Sequence, residues 1–157
     1  MRRIVVAAVA TLLVVGVQLA GGEQPAALEG VWAVQERLYA RGDSSWTETM
    51  PQPGLYFFGN RHYAVQEIRE SGPRSLFGES TSDLDRLAAF DVFHAHAGQY
   101  ELSEGVMTIV PTLAKSPNTM DGRAHSYAYA IVGDALTITR ESPADGERRV
   151  TILRRVE

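Results

Sequence analysis

Cysteine is absent from all 157 residues. No disulfide can staple the chain, so its fold must hold by packing and hydrogen bonding alone, even if it is exported to a compartment that permits disulfides. A positive excess is also missing. The chain carries 15 basic and 19 acidic residues. Its arginines are scattered, without the clustered patch that a nucleic-acid backbone requires, so nucleic acid is not expected as a partner. The doublets Arg148-Arg149 and Arg154-Arg155 are expected as solvent-facing ends of a last strand. A G-x-S-x-G nucleophile elbow is lacking, and no paired-carboxylate site is visible. Glu36 alone is placed by parity on the face of Trp32 in the first strand, where burial would demand a partner or a raised pKa.

One long apolar run is present. Met1-Arg2-Arg3 is basic, Ile4 to Ala20 is nearly all apolar, and Ala20-Gly21-Gly22 supplies small residues. That is the layout of a secretory signal, with cleavage expected after Gly22. Residues 1–22 then form the signal peptide and residues 23–157 one domain, either periplasmic or secreted. The run is about 17 residues long, so an uncleaved anchor is the alternative. Loss of Arg2 and Arg3 leaves 13 basic against 19 acidic residues. No membrane contact is expected after cleavage. Several strands are too short for an outer-membrane barrel, and the terminal Arg155-Val156-Glu157 lacks that class's aromatic end.

The rest of the chain alternates short β-like runs with turn residues. Eight strands are expected: residues 30–40, 55–59, 61–69, 99–103, 106–113, 124–132, 135–140 and 149–156. Residues 80–95 break the pattern, with Leu84, Leu87, Ala88 and Val92 or Phe93 at helical spacing. Ser82 with Asp85 resembles a capping box, and Gly98 is the expected stop. One helix is therefore expected between strands 3 and 4. Eight antiparallel strands joined by hairpins predict an all-β, up-and-down barrel, because closure removes both sheet edges. Residues 41–53 and 70–79 are expected as long loops of the kind that form lids.

Several segments resemble a known family. Leu28-Glu29-Gly30-Val31-Trp32 is similar to the start of the first strand in lipocalin-like proteins. The stretches PQPGLYFF (51–58), RHY (61–63), GPRSLF (72–77), AGQYEL (97–102), PTLAKSPNTM (111–120) and GDALTIT (133–139) resemble an exported bacterial branch of the lipocalin-like domain family. The resemblance implies an eight-stranded lipocalin-like barrel and export, but no established activity.

His94 and His96 with Glu101 read as H-x-H followed by four residues and a glutamate, which resembles the first metal motif of cupins. His125 is a further candidate ligand. Two residues apart on a strand, such a pair can chelate a metal. The second cupin motif is missing, however, and His94 is expected on the last helical turn. There a histidine bonds the free carbonyls and meets the negative end of the helix dipole. No metal or other cofactor is therefore expected.

The sixth run, AHSYAYAIV, puts His125, Tyr127, Tyr129 and Ile131 on one face, expected to point inward. The result is a calyx with Trp32 as its floor. Tyr56, Phe58, Tyr63, Met107, Tyr127, Tyr129 and Leu136 form its wall, and Phe93, Trp46 and Phe77 lie over the mouth. Apolar walls with few polar groups suit a small, mostly apolar molecule. The expected function is binding such a ligand. The alternatives are an isomerase, cyclase or metal-assisted enzyme using His94, His96, His125 or Glu36, and an envelope interaction protein without a ligand.

Overall fold

A computed structural model describes residues 25–49, 52–70 and 72–157. The expected signal peptide, residues 1–22, lies outside them. A short helix α1 (Pro25–Leu28) leads into β1 (Gly30–Arg41), β2 (Ser44–Thr49), β3 (Gly54–Phe58) and β4 (His62–Ile68). Helix α2 (Asp83–Asp91) follows, then β5 (Phe93–Ser103), β6 (Val106–Ala114), a 3-10 turn η1 (Pro117–Met120), β7 (His125–Val132), β8 (Ala135–Glu141) and β9 (Arg148–Arg155).

The strands are hydrogen-bonded in the order β2-β1-β3-β4-β5-β6-β7-β8-β9, and β1 also pairs with β9. Every pairing is antiparallel. The ring β1-β3-β4-β5-β6-β7-β8-β9 is thus a closed barrel of eight strands, with β2 as an extra strand. Both β2 and β3 lie on the edge of β1 opposite β9, along residues 36–41 and 30–33 respectively. They share one strand position, and Pro53, just before β3, removes a backbone donor there.

Several expectations change here. Residues 44–49 are not loop but β2, closed onto β1 through Gly42-Asp43. With β2 counted, the helix lies between the fourth and fifth strands rather than between the third and fourth. The helix is also shorter than expected. Ser82 caps it with the capping box on Asp85, but it ends at Asp91. From Phe93 onward the chain pairs with β4, from Ile68↔Phe93 to His62↔Gln99. His94 therefore sits on a strand. Lys115 takes the role expected of it, donating to the Phe90 and Asp91 carbonyls at the helix end. Gly98 does not stop the helix either. It lies mid-strand, where a Cβ would stand 2.1 Å from the Val110 carbonyl oxygen of β6.

Two bulges set the direction of the side chains. In β1 the register with β9 shifts between Val34 and Glu36, making Gln35 an extra residue. One extra residue reverses the alternation beyond it. Trp32 and Val34 point inward, and so does Arg37 after the shift, while Glu36 and Leu38 turn away. In β6 the pairings Ala97↔Leu113 and Gly98↔Pro111 leave Thr112 extra. A bulge is one of the few places where a strand tolerates proline.

One end of the barrel is solid. Leu28, Trp32, Leu136 and Leu153 are fully buried, with Phe58, Tyr100 and Met107 packed around them. The Trp32 indole donates to the Leu28 carbonyl at 2.8 Å. Arg155 lies over the Trp32 ring at 4.1 Å and donates to the Ala27 and Glu29 carbonyls. Gly30, at φ +126°, is required here, because a Cβ would lie 2.3 Å from the Glu157 carbonyl oxygen. The Gly-x-Trp start and the chain's last residues together form a plug.

Candidate functional site

The opposite end is hollow. A cavity of about 220 Å³ opens among the C-terminal ends of β4, β6 and β8 and the N-terminal ends of β5, β7 and β9. Strand alternation selects its lining. Its deeper wall is apolar, with Tyr56 and Phe58 from β3, Tyr63 and Val65 from β4, Met107 and Ile109 from β6, Tyr127 from β7 and Ile138 from β8. Toward the mouth the same strands present Arg69, His94, His96, His125, Arg140, Arg149 and Thr151. Asn118 and Thr119 reach in from η1, beside the stretch where β6 has run past its pairing with β7.

Of the expected wall, Tyr56, Phe58, Tyr63, Met107 and Tyr127 line this cavity. Trp32 and Leu136 are buried in the plug and do not reach it. Tyr129 faces inward but packs, half-buried, against the solid core. Phe93 is half-buried on the face of β5 opposite His94 and His96. Neither Trp46 nor Phe77 covers the mouth. Trp46 stacks on Tyr39 with ring centroids 5.0 Å apart, and Phe77 lies exposed under Arg86. Glu36 points away from the interior, because the bulge at Gln35 gives its place to Arg37.

A buried charge network stands at the rim. Glu67 and Arg37 are 1% and 2% exposed and pair at 2.9 Å. Arg69 binds the other Glu67 oxygen at 2.6 Å, the Tyr56 hydroxyl donates to Glu67 at 3.3 Å, and Arg37 also meets Glu48 at 3.3 Å. Burial opposes ionisation of Glu67, but the Arg69 and Arg37 charges outweigh it and hold the pKa at about 2. Arg37, although desolvated, is kept protonated above its usual range by Glu67. Desolvation raises the Tyr56 hydroxyl, and the Glu67 charge adds to the effect.

The histidines occupy the adjoining wall. His94 lies opposite Glu67 across β4 and β5, and His96 opposite Val65. Their rings meet edge-on at 5.1 Å, and His96 Nδ1 is hydrogen-bonded to Tyr63 Oη at 2.9 Å. Desolvation, helped by the Arg69 charge, depresses both to about 4. Both are neutral at pH 7. Among the described residues, no three histidine, aspartate or glutamate side chains converge well enough to hold a metal ion.

Solved structures similar to this chain include a lipocalin-like protein from Bacteroides uniformis, at 15% identity and a TM-score of 0.47, covering 82% of this chain and 98% of that one. An uncharacterized protein from Bacteroides eggerthii is similar at 13% identity and a TM-score of 0.44, covering 79% and 97%. No family model matches the chain, and no curated protein does. The barrel assignment itself rests on this chain's own strand pairing.

Sequence reasoning passed over Arg37, Glu67, Arg69, Arg140 and Arg149. Arg148-Arg149 and Arg154-Arg155 were expected to face solvent as pairs, but alternation splits each one. Arg148 and Arg154 are exposed, Arg149 lines the cavity and Arg155 covers Trp32. The signal was available in two runs. Leu136, Ile138 and Arg140 share one face of β8, and Arg149, Thr151 and Leu153 share one face of β9.

Proposed function

We propose that this chain is an exported small-molecule-binding protein whose lipocalin-like barrel holds a small, mostly apolar ligand. One observation carries the reading: the barrel is packed solid at one end and hollow at the other. A protein needing only stability gains nothing from an unfilled interior, since voids forfeit packing energy. The hollow has the usual make-up of a ligand site, aromatic and aliphatic walls with a few polar groups. Export is supported by residues 1–22. Native mass spectrometry of protein purified from its own host tests the proposal. A co-purifying small molecule is expected, and Met107→Trp, which fills the cavity, should abolish it while the protein stays folded. Retention of the molecule by that variant would place it elsewhere.

A second reading is an enzyme on the same scaffold. The hydrogen bond between Tyr63 and the neutral His96 favours it, because a general base must be neutral and positioned. Glu36 drops out, since it faces away. Turnover of any co-purifying molecule, lost in His96→Gln with binding retained, would move the assignment to this class.

A further inference from the structure

Arg140 and Arg149 lie directly opposite each other on β8 and β9, and both line the cavity. Like charges opposed across a sheet destabilise it. Elsewhere in this barrel such charges are neutralised. Glu67 and Glu48 are engaged by Arg37 and Arg69, and Asp134 faces Arg155. Asp145 and Glu147 share a smaller hollow with Arg140, Ser142 and Arg149, yet both are held by Arg41, at 2.5 and 2.8 Å. Among the described residues no carboxylate forms an ion pair with Arg140 or Arg149. The rim therefore gathers five guanidinium groups, Arg37, Arg41, Arg69, Arg140 and Arg149, against four carboxylates, Glu48, Glu67, Asp145 and Glu147. This local surplus sits on a chain whose overall formal charge is −4.

From this geometry we infer that the ligand is a carboxylate amphiphile, its anionic head held between Arg140 and Arg149 and its apolar tail against Met107, Ile109, Tyr127 and Ile138. The inference rests on the ligand-binding reading above and adds the chemical class. A guanidinium fork matches the two oxygens of a carboxylate. A monoanion between the two arginines would relieve their repulsion while its tail enters the apolar depth. The site is thus zoned along the barrel axis, with charge at the mouth and hydrocarbon contact below.

Titration calorimetry with octanoate, octanol, octylamine and octyl phosphate tests it, using the wild type and Arg140→Gln/Arg149→Gln. Octanoate should bind wild type at least about tenfold tighter than octanol, the equivalent of one charge-assisted hydrogen bond. The advantage should shrink at high salt and vanish in the double variant. The melting temperature of the unliganded variant should not fall, because a repulsion has been removed. Equal binding of octanoate and octanol would overturn the carboxylate assignment and leave the apolar-ligand reading standing. Tighter octylamine or octyl phosphate would overturn it in favour of another head group. Failure of every probe to bind wild type would instead remove the ligand-binding reading. The wild-type comparison alone decides between these outcomes should the variant not fold.

Discussion

The most exacting prediction concerns Glu67→Gln. The substitution keeps the shape of the side chain and removes one charge from a group that is 1% exposed. Arg37, 2% exposed, then retains only Glu48 at 3.3 Å, which is itself 27% exposed. Arg69 is 36% exposed and can turn to water, so its loss weighs less. Breaking a buried ion pair from one side costs about 3–5 kcal/mol, and the surviving Glu48 contact places this case near the lower end, about 3 kcal/mol. For a domain of this size that is a drop of roughly 10–15 °C in Tm. Urea unfolding of the wild type, Glu67→Gln, Arg37→Met and the double variant measures it. The double variant should be more stable than Glu67→Gln, because no buried charge is left without a partner. A loss below about 0.5 kcal/mol for Glu67→Gln would refute the reasoning, since that is the range of ordinary surface changes.

Acid should destabilise the fold in two separable windows. His94 and His96 have folded pKa values of about 4 against an ordinary 6.5, so the unfolded state binds more protons between those values. Stability is full above 6.5 and falls as pH drops toward 4, by on the order of 3 kcal/mol for this half-buried, mutually coupled pair. Glu67, lowered to about 2 from 4.5, adds a second loss as pH falls through that lower range. Unfolding free energy measured against pH should flatten in the upper window for His94→Gln/His96→Gln and stay unchanged in the lower one. A wild-type curve level from pH 7 to 4 would contradict the burial of these rings. Gly98→Ala should cost about 1–3 kcal/mol or more, because its Cβ meets backbone, which cannot swing aside as a side chain would. A urea midpoint equal to wild type would mean that β5 and β6 separate easily at this point.

Much of the architecture was legible because alternation is a local property. HSYAYAIV turned its histidine and tyrosines inward, and its burial alternates without a break along β7. Strand β2, SSWTET, was not legible. It has one apolar residue and pairs only at the rim, so no buried face stamped a pattern on it. FHAHAGQYEL satisfies helical spacing at its start and strand spacing throughout. What decides between them is β4, some thirty residues upstream, and a window around the histidines cannot see that partner. The cavity arginines escaped for a related reason. A charge at a strand end is normally solvated, and only closure of β9 onto β1 turns this end of the sheet into the inside of a barrel.

The bulge at Gln35 connects these facts. Had β1 kept strict alternation, Glu36 and Leu38 would face inward and Arg37 outward. Glu67 would then meet Glu36 across the interior, leaving two carboxylates in a space now held by an ion pair. The extra residue exchanges a repulsion for a charge-neutral bridge, and it does so beyond Val34, where the apolar plug ends. The plug keeps its hydrophobic parity and the rim acquires its guanidinium. The buried ion pair at the rim therefore follows from a single inserted residue, which leaves no trace in composition or local propensity. Its signature is non-local: a carboxylate on β4, placed by parity among apolar neighbours, that needs a cation from across the barrel.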